Sequence, residues 1–479
     1  MALALILVPL LLAALALALP SNRLRPWLLP VTASTHLALP GAALTHPGAS
    51  AGKFWLLLDP PGAVVLILIS VLFFFCSFYL VGYLHYRQER PNRIFCACVL
   101  AFLSGMTLVT WAHHLGLMWV GVEATALAAA PLIYFNHNTR SIEATWKYLL
   151  VGSVGIALAL LGSFFIAYAS LHQGLESSLT FDDLLRNAPH LSKPWLRAGF
   201  VLLLVGYGTK MGLAPMHTWK PDAYGESPGA VGALLAGGVT NCAFLALLRV
   251  QHVLRAAGEG AYSGRLLIFM GLLSMAVAGV FMVGQRDFKR MLAYSSVEHM
   301  GILALGVGIG GPVALFGVLL HLINNGLLKG VLFLSAGNIH RAYNRKTTDQ
   351  VQGALRRVPV SGLLFLAGFL AITGSPPFGP FISEFTILNA AFGAGRFWAG
   401  GLFLFFLFLV FVGMGATVLH VVQGRPPAGS RDIPYRDGLS TCLPPLAMLG
   451  LVLLFGLFIP TPMNNLLQNA VAFLGKVTP

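Results

Sequence analysis

The sequence has 479 residues, of which 57% are hydrophobic and only 10% are charged. Soluble domains carry about 25% charged residues, so this composition excludes a protein whose main solvent is water. The net charge of +14 comes from basic residues in short loops between apolar runs, where it indicates membrane topology and not a nucleic-acid partner.

Apolar runs long enough to cross a bilayer recur from one end of the chain to the other. The first, Met1 to Pro20, lacks the basic residues that precede a secretory signal, so we interpret it as the first membrane helix. A weaker run at 27–43 predicts the second. The remaining runs are 62–84, 96–112, 115–135, 147–170, 198–216, 228–250, 266–284, 292–309, 313–337, 358–374, 382–393, 398–421 and 440–460. The short pieces 358–374 and 382–393 are joined as one interrupted helix.

These runs predict an all-α polytopic membrane protein with about 14 transmembrane helices. Helices 1–3 occupy residues 1–95, a first five-helix repeat (helices 4–8) occupies 96–250, a second repeat (helices 9–13) occupies 251–421, and helix 14 lies in 422–479. Lys and Arg concentrate in the loops that follow odd-numbered helices, which predicts that these loops are cytoplasmic and that both termini lie outside.

Two predicted helices are interrupted in matching ways. Helix seven contains the glycines and the proline of Tyr207 to Pro215, and helix twelve contains those of Thr373 to Pro380. Proline removes a backbone donor and glycine lets the chain turn, so both helices should break inside the membrane. Because five helices separate the breaks, the two repeats would have opposite orientation, as in inverted-repeat transporters with an ion path at the midplane. The alternative is that both are ordinary kinks.

A charged residue inside a membrane span costs free energy, so each such residue is expected to have a structural or functional role. The apolar runs or their ends contain Glu123, Lys147, Lys210, Lys329 and Glu384, and the histidines His217, His299 and His321 lie in or near the same helices. A low dielectric favours a neutral lysine, whereas a nearby carboxylate restores its charge, so a Glu–Lys pair can exchange a proton when its separation changes. A row of such groups, bridged by histidine and water, is a candidate proton relay.

Each of these residues also has a simpler interpretation. Lys147 could extend its ammonium to the membrane interface, and Glu123 could be a static counter-ion. His299 and His321 could be hydrogen-bonded packing residues. Against this, the two repeats fill the same positions twice: helices five, six and seven carry Glu123, Lys147 and Lys210, and helices ten, eleven and twelve carry Glu298 with His299, then Lys329, then Glu384.

No motif for covalent chemistry or for a cofactor is found in the sequence. Cys96 and Cys98 form a lone pair, and an iron–sulfur or structural zinc site would need about four ligands. We therefore predict no catalytic residue, cofactor or metal on this chain.

Five stretches carry a resemblance to a known family: Trp119 to Thr125, Glu143 to Leu150, Lys210 to Tyr224, Lys289 to Gly301 and Gly379 to Phe385. At these residues the chain resembles the antiporter-like membrane subunits of respiratory complex I, Mrp-type cation/proton antiporters and group 4 [NiFe] hydrogenases. The likeness is greatest to component F of hydrogenase-4 complexes.

The resemblance implies 14 helices in two inverted bundles and a hydrated polar axis in the membrane plane. It implies that Glu123 is the fifth-helix glutamate, paired with Lys147, and that Lys210 is the lysine of the broken seventh helix. It implies that Lys329 is the eleventh-helix lysine and Glu384 the exit residue. Nickel–iron, iron–sulfur or flavin centres would belong to partner subunits.

Three positions depart from the family pattern. Asn241 and Asn325 stand where some relatives have Lys and His, so the middle of the relay would depend on water, His321 or His299. Lys220 replaces an apolar residue of the complex I branch and favours the hydrogenase branch. The chain ends just after helix fourteen, so the resemblance predicts no long lateral helix.

The leading hypothesis is a proton-translocating subunit of a redox-driven complex in a bacterial or archaeal plasma membrane, with membrane and peripheral partner subunits. One alternative is an Mrp-like module that exchanges Na⁺ for H⁺. The other is a non-conducting structural subunit. The sequence does not distinguish the coupling ion, its stoichiometry or its direction.

Overall fold

The structure, a computed structural model, describes residues 1–45, 55–427 and 433–476. In these ranges the secondary structure is helical, apart from isolated bridges such as the one between Leu56 and Ala112. The α-helices are α1 (Ala2–Ala18), α2 (Leu28–Thr45), α3 (Pro60–His85), α4 (Arg93–Trp111), α5 (Leu115–Ile133), α6 (Thr139–Leu171), α7 (Phe181–Arg186), α8 (Lys193–Met211), α9 (Lys220–Glu226), α10 (Gly229–Leu234), α11 (Thr240–Ala256), α12 (Gly260–Met282), α13 (Phe288–Ile309), α14 (Gly311–Tyr343), α15 (Ala354–Arg357), α16 (Pro359–Ile372), α17 (Gly379–Gly393), α18 (Phe397–Val422), α19 (Leu439–Leu457) and α20 (Thr461–Gly475).

Ten helices of the described residues are long and apolar enough to cross a membrane, if α10 and α11 are counted as one. A π-helical turn at Leu235–Val239, which the apolar runs did not predict, joins α10 to α11. Two shorter apolar helices, α1 and α16, accompany these ten. The prediction of an all-helical multi-pass membrane protein is confirmed.

The start of α6 and an additional helix near the C-terminus differ from the prediction. The helix predicted at 147–170 begins at Thr139, because Asn138 accepts a hydrogen bond from the backbone N–H of Ser141 and caps the helix there. After the last predicted span, α20 follows as a further helix that packs against α3 and α14. Its buried face, which includes Leu466 and Leu467, is too narrow to register as a membrane-crossing run.

The helix is interrupted at both predicted positions. α8 ends at Gly212, whose φ of 75° ends the helical turn, and the chain re-enters a helix only at α9. The indole N–H of Trp219 donates to the carbonyl oxygen of Thr209 (2.8 Å). This carbonyl at the end of α8 therefore has a hydrogen-bond partner without the help of water. The second interruption separates α16 from α17, and there the Ser375 N–H donates to the Leu370 carbonyl (3.0 Å).

Helices at the centre of the bundle differ from those at its periphery in burial. The most apolar window of the Gly229–Ala256 span is 100% buried and that of α13 is 94% buried, whereas those of α6, α18 and α19 are each 39% buried. α14 contacts helices on all sides, including α3, α13, α16, α17 and α19. The central helices therefore provide an interior in which polar side chains are shielded from lipid.

Pairs of glycines bring neighbouring helices into backbone contact. A Cβ atom added at Gly271 of α12 would lie 2.6 Å from the Gly301 carbonyl oxygen of α13, and one added at Gly301 would lie 2.7 Å from the Gly271 oxygen. Gly264 and Gly308 form a second reciprocal pair on the same helices. Small residues of this kind allow close helix packing in lipid, where the hydrophobic effect between helices is absent.

Replacement of Gly271 by alanine is expected to destabilise the protein by about 1–3 kcal/mol, because the added methyl overlaps the backbone of α13. Thermal unfolding in detergent would measure the loss. Gly401→Ala, in α18, is the matched control, since no atom lies within 4 Å of the added Cβ there. Equal unfolding temperatures for the two variants would contradict the close packing of α12 and α13.

A buried ion pair joins α11 to the ends of α3 and α4. Arg249 donates from Nε and Nη2 to both carboxylate oxygens of Asp59 (2.8 and 2.7 Å). The same guanidinium donates to the carbonyls of Val109 (2.9 Å), Thr110 (2.7 Å) and Ala112 (3.1 Å), which α4 leaves free at its C-terminal end. Both side chains are almost completely buried.

Candidate functional site: a buried row of ionisable groups

The row begins where α5, α6 and α8 meet. Glu123 of α5 and Lys210 of α8 form an ion pair, with 3.9 Å between Oε2 and Nζ. The Lys210 side chain is 2% exposed and that of Glu123 is 23% exposed. The ammonium also lies 5.3 Å from the ring centroid of Tyr148, a cation–π distance. Gly152 of α6 makes room for this ammonium, since a Cβ there would lie 2.6 Å from Nζ.

The implied pairing of Glu123 with Lys147 is wrong. Lys147 Nζ lies 2.6 Å from Oε1 of Glu143 and 2.8 Å from Oδ2 of Asp222, and its side chain is 46% exposed. The reason is the early start of α6, which places residue 147 near the end of the helix, one turn after Glu143. Asp222 of α9 also pairs with Arg290 (2.5 Å), so Lys147 belongs to a charged cluster at the end of the bundle.

The middle of the row contains two buried lysines that share one turn of α13. Lys220 of α9 donates to Oγ of Ser296 (3.0 Å), and Lys329 of α14 donates to Oγ of Ser295 (2.8 Å). Both lysine side chains are fully buried. Neighbouring serines of α13 thus each accept a hydrogen bond from a lysine of a different helix. Neither lysine has an ion-pair partner within 4.0 Å among the described residues.

Lys220 and its serine were not predicted as members of the row. From the sequence, Lys220 served only to separate two branches of a family. The sequence does contain a signal for its burial. Lys220 lies five residues after Pro215, where the helix breaks, and apolar runs flank this segment. The tight contact of its side chain with Gly212 shows why residue 212 has no side chain of its own.

The far end of the row lies between α13, α14 and α17. Nδ1 of His299 and Nε2 of His321 are 3.0 Å apart, and Nδ1 of His321 lies 3.0 Å from Oγ of Ser383, both hydrogen-bonding distances. Oε2 of Glu298 lies 3.7 Å from Nε2 of His299. Glu384 completes this end: one ligand-type atom from each of His299, His321 and Glu384 lie within 4.8 Å of one another.

His217 was predicted as a member of the row, whereas Asn241 and Asn325 were identified as positions where the chain lacks an ionisable residue of some relatives. His217 is buried beside Tyr294, with 6.2 Å between the ring centroids, and its Nδ1 has no hydrogen-bond partner. Asn241 donates back to the Gly237 carbonyl of its own helix (2.9 Å). Neither polar atom of the Asn325 side chain has a partner. None of the three forms a direct hydrogen bond to the row within the described residues.

Several buried polar atoms of the row lack a hydrogen-bond partner within the described part of the protein. They are Glu123 Oε2, Tyr148 OH, Tyr224 OH, Glu298 Oε2, His299 Nε2 and Glu384 Oε1. Buried polar atoms are nearly always satisfied by protein or by ordered water, so a concentration of unsatisfied ones indicates a path that water can enter.

Comparisons with known proteins find relatives in sequence and in fold. Residues 112–410 match the family model described as "NADH:quinone oxidoreductase/Mrp antiporter, TM". The chain is 34% identical over 437 residues to a protein named hydrogenase-4 component F homolog from Methylacidiphilum infernorum, with 87% of this chain and 90% of the relative covered. It is 30% identical over 429 residues to NADH-quinone oxidoreductase subunit N from Desulforudis audaxviator, with 87% and 84% covered.

Among solved structures, the fold is similar to a chain of the archaeal membrane-bound sulfane sulfur reductase, with a TM-score of 0.88, 23% sequence identity, and coverage of 99% of this chain and 98% of the other.

Proposed function

Since the chain belongs to the family of NADH:quinone oxidoreductase and Mrp antiporter membrane subunits, we propose that it is a proton-translocating, antiporter-like subunit of a redox-driven complex. The observation that carries the proposal is the buried row of ionisable groups that extends from Glu123 to Glu384. Charges buried within a bundle of membrane-length helices are costly unless they are paired or have a function, and this row spans several helices.

The names of the relatives favour a hydrogenase-type or complex I-type assembly. Redox centres of nickel–iron, iron–sulfur or flavin type then reside on partner subunits, because the chain offers no motif for them. Sister membrane subunits and a peripheral redox arm are the partners, and the membrane is a bacterial or archaeal plasma membrane. The two termini lie outside, as the Lys and Arg asymmetry of the loops indicates.

The helices support the proposed organisation of two inverted repeats. If α8 with α9, α10 with α11, and α16 with α17 are each counted as one, and α7, α15 and α20 are left out, 14 helices remain. The broken helices α8–α9 and α16–α17 then occupy corresponding positions in residues 96–250 and 251–421. Lys210 ends the first half of one broken helix, and Glu384 begins the second half of the other.

The row accounts for proton movement in discrete steps. Lys210 is held charged by Glu123, and a longer separation of the two favours the neutral amine and a released proton. The next groups are Lys220 and Lys329, each bonded to a serine hydroxyl that can both donate and accept. The two histidines then pass the proton toward Glu384, and water bridges the intervals that the side chains do not span.

Replacement of Glu384 by glutamine tests the proposal. Glutamine preserves the shape of the side chain but cannot release a proton, so proton pumping by the reconstituted complex should fall at least tenfold while the complex still assembles. Glu176→Gln, at an exposed loop carboxylate, is the control and should pump normally. Unchanged pumping in the Glu384→Gln variant would support a non-conducting structural subunit. Uptake of ²²Na⁺ in place of protons by the unmodified complex would support the Mrp-like module.

A further inference from the structure

Two imidazoles and a carboxylate meet at the far end of the row, contributed by three helices. Ligand-type atoms of His299 (α13), His321 (α14) and Glu384 (α17) lie within 4.8 Å of one another, and all three residues are buried. Two His nitrogens with one Glu oxygen is a ligand set that binds zinc in proteins and leaves a fourth position open. No metal was predicted on the chain from its sequence, because the three residues are distant along it.

The spacing of the two imidazoles fits a shared metal ion. His299 Nδ1 and His321 Nε2 are 3.0 Å apart. Two nitrogens bound to one tetrahedral zinc at about 2.0–2.1 Å each are separated by about 3.3 Å. A divalent ion therefore requires the two nitrogens to move apart by about 0.3 Å and the rings to turn so that both nitrogens point at the ion.

The outer nitrogen of each ring already faces an oxygen. His321 Nδ1 lies 3.0 Å from Ser383 Oγ, and His299 Nε2 lies 3.7 Å from Glu298 Oε2. Metal-bound histidines almost always donate their other N–H to a carboxylate, a carbonyl or water, which fixes the ring and its tautomer. The protein thus supplies the inner nitrogens and a bonded outer partner for His321, and it places a carboxylate near the outer nitrogen of His299 without a hydrogen bond between them.

The third ligand is available. Oε1 of Glu384 is buried and has no hydrogen-bond partner among the described residues, and the residue is only 6% exposed. Its carboxylate packs against Gly374 in the segment that separates α16 from α17, where Pro376 and Pro377 are exposed. The Glu384 carboxylate offsets part of the charge of a divalent cation, and Glu298 lies beside the outer nitrogen of His299.

We propose that His299, His321 and Glu384 form a binding site for one divalent transition-metal ion of the zinc class, and that its occupation blocks the row. The block rests on the proposed function, because the ion would occupy the two histidines and the carboxylate that pass the proton. The binding site itself does not depend on that function.

The binding test uses Co²⁺ as a coloured substitute for Zn²⁺. The full-length chain, carrying no histidine tag, is placed in lipid nanodiscs, freed of metal and titrated with Co²⁺. We expect one ion per chain with the intense visible absorption of four-coordinate cobalt, displaced by Zn²⁺. His321→Gln should lose this absorption, and Glu384→Gln should weaken binding at least tenfold. His420→Gln, at an exposed histidine of α18, is the control and should bind as the unmodified protein does.

Two results would overturn the site: no four-coordinate absorption in the unmodified chain, or the same absorption in His321→Gln. A circular-dichroism melt of each variant establishes that it is folded, and Glu384→Gln provides an independent second removal of a ligand. Proton pumping by the complex is then measured with and without Zn²⁺. Zinc binding without inhibition of pumping would contradict the proposed block and leave the metal site in place. Unchanged pumping in Glu384→Gln would contradict the proposed function alone.

Discussion

Lys210→Ala is expected to abolish proton pumping by the assembled complex, with a loss of at least tenfold, while the other subunits still bind. Lys210 is the only cation within 4.0 Å of Glu123 among the described residues, so its removal leaves that carboxylate without a counter-charge and interrupts the first proton step. The void left by the shortened side chain lies beside Gly152 and the Tyr148 ring.

The measurement is the pH change inside proteoliposomes that contain the whole complex, normalised to electron-transfer rate. Lys193→Ala is a matched control on the same helix, since Lys193 is the exposed first residue of α8. Pumping at the control level in Lys210→Ala would remove the ion pair of Glu123 and Lys210 from the mechanism. Loss of the subunit from the complex would instead assign Lys210 a structural role.

Arg249→Ala is expected to destabilise the fold by about 3–5 kcal/mol, the range for breaking a buried ion pair. The guanidinium makes five hydrogen bonds, two to Asp59 and three to carbonyls of the chain around the end of α4. Its removal leaves a buried carboxylate and three carbonyls without their partner. We therefore expect little accumulation of the variant in the membrane and a large decrease of its unfolding temperature in detergent.

A second variant separates the buried charge from the lost packing. Arg249→Leu combined with Asp59→Leu removes both charges, so it should be more stable than Arg249→Ala alone. Arg265→Ala, at an exposed arginine of α12, is the control and should unfold as the unmodified protein does. If the single variant accumulated normally, the five hydrogen bonds would not stabilise the junction of α3, α4 and α11.

The sequence predicted the helices well because each long apolar run is bounded by polar or glycine-rich segments. It predicted both interruptions because proline and glycine act locally, through one backbone donor or one positive φ. It did not predict the start of α6 at Thr139, since that boundary depends on the hydrogen bonds between Asn138 and Ser141 and not on hydropathy. No apolar run of membrane length marks α20, so the sequence did not predict it. The π-helical turn lies inside the predicted run 228–250, where hydropathy does not distinguish one type of helical turn from another.

The site was predicted in part. The free-energy cost of a charge in an apolar run was enough to identify Glu123, Lys210 and Lys329 as candidate site residues. Which carboxylate pairs with which lysine depends on helix rotation and depth, so the implied partner of Glu123 was wrong. The serines at 295 and 296 were missed, because a hydroxyl inside a helix is common and its importance depends on what faces it.

One turn and a half of α13 carries Ser295, Ser296 and His299, which contact Lys329 of α14, Lys220 of α9 and His321 of α14 in turn. These contacts therefore share a single rigid support. A slide of α13 by one residue, about 1.5 Å along its axis, would lengthen all of them together. The glycine contacts with α12 oppose that slide, so the backbone fit of α12 and α13 holds in place the part of the row that α13 carries.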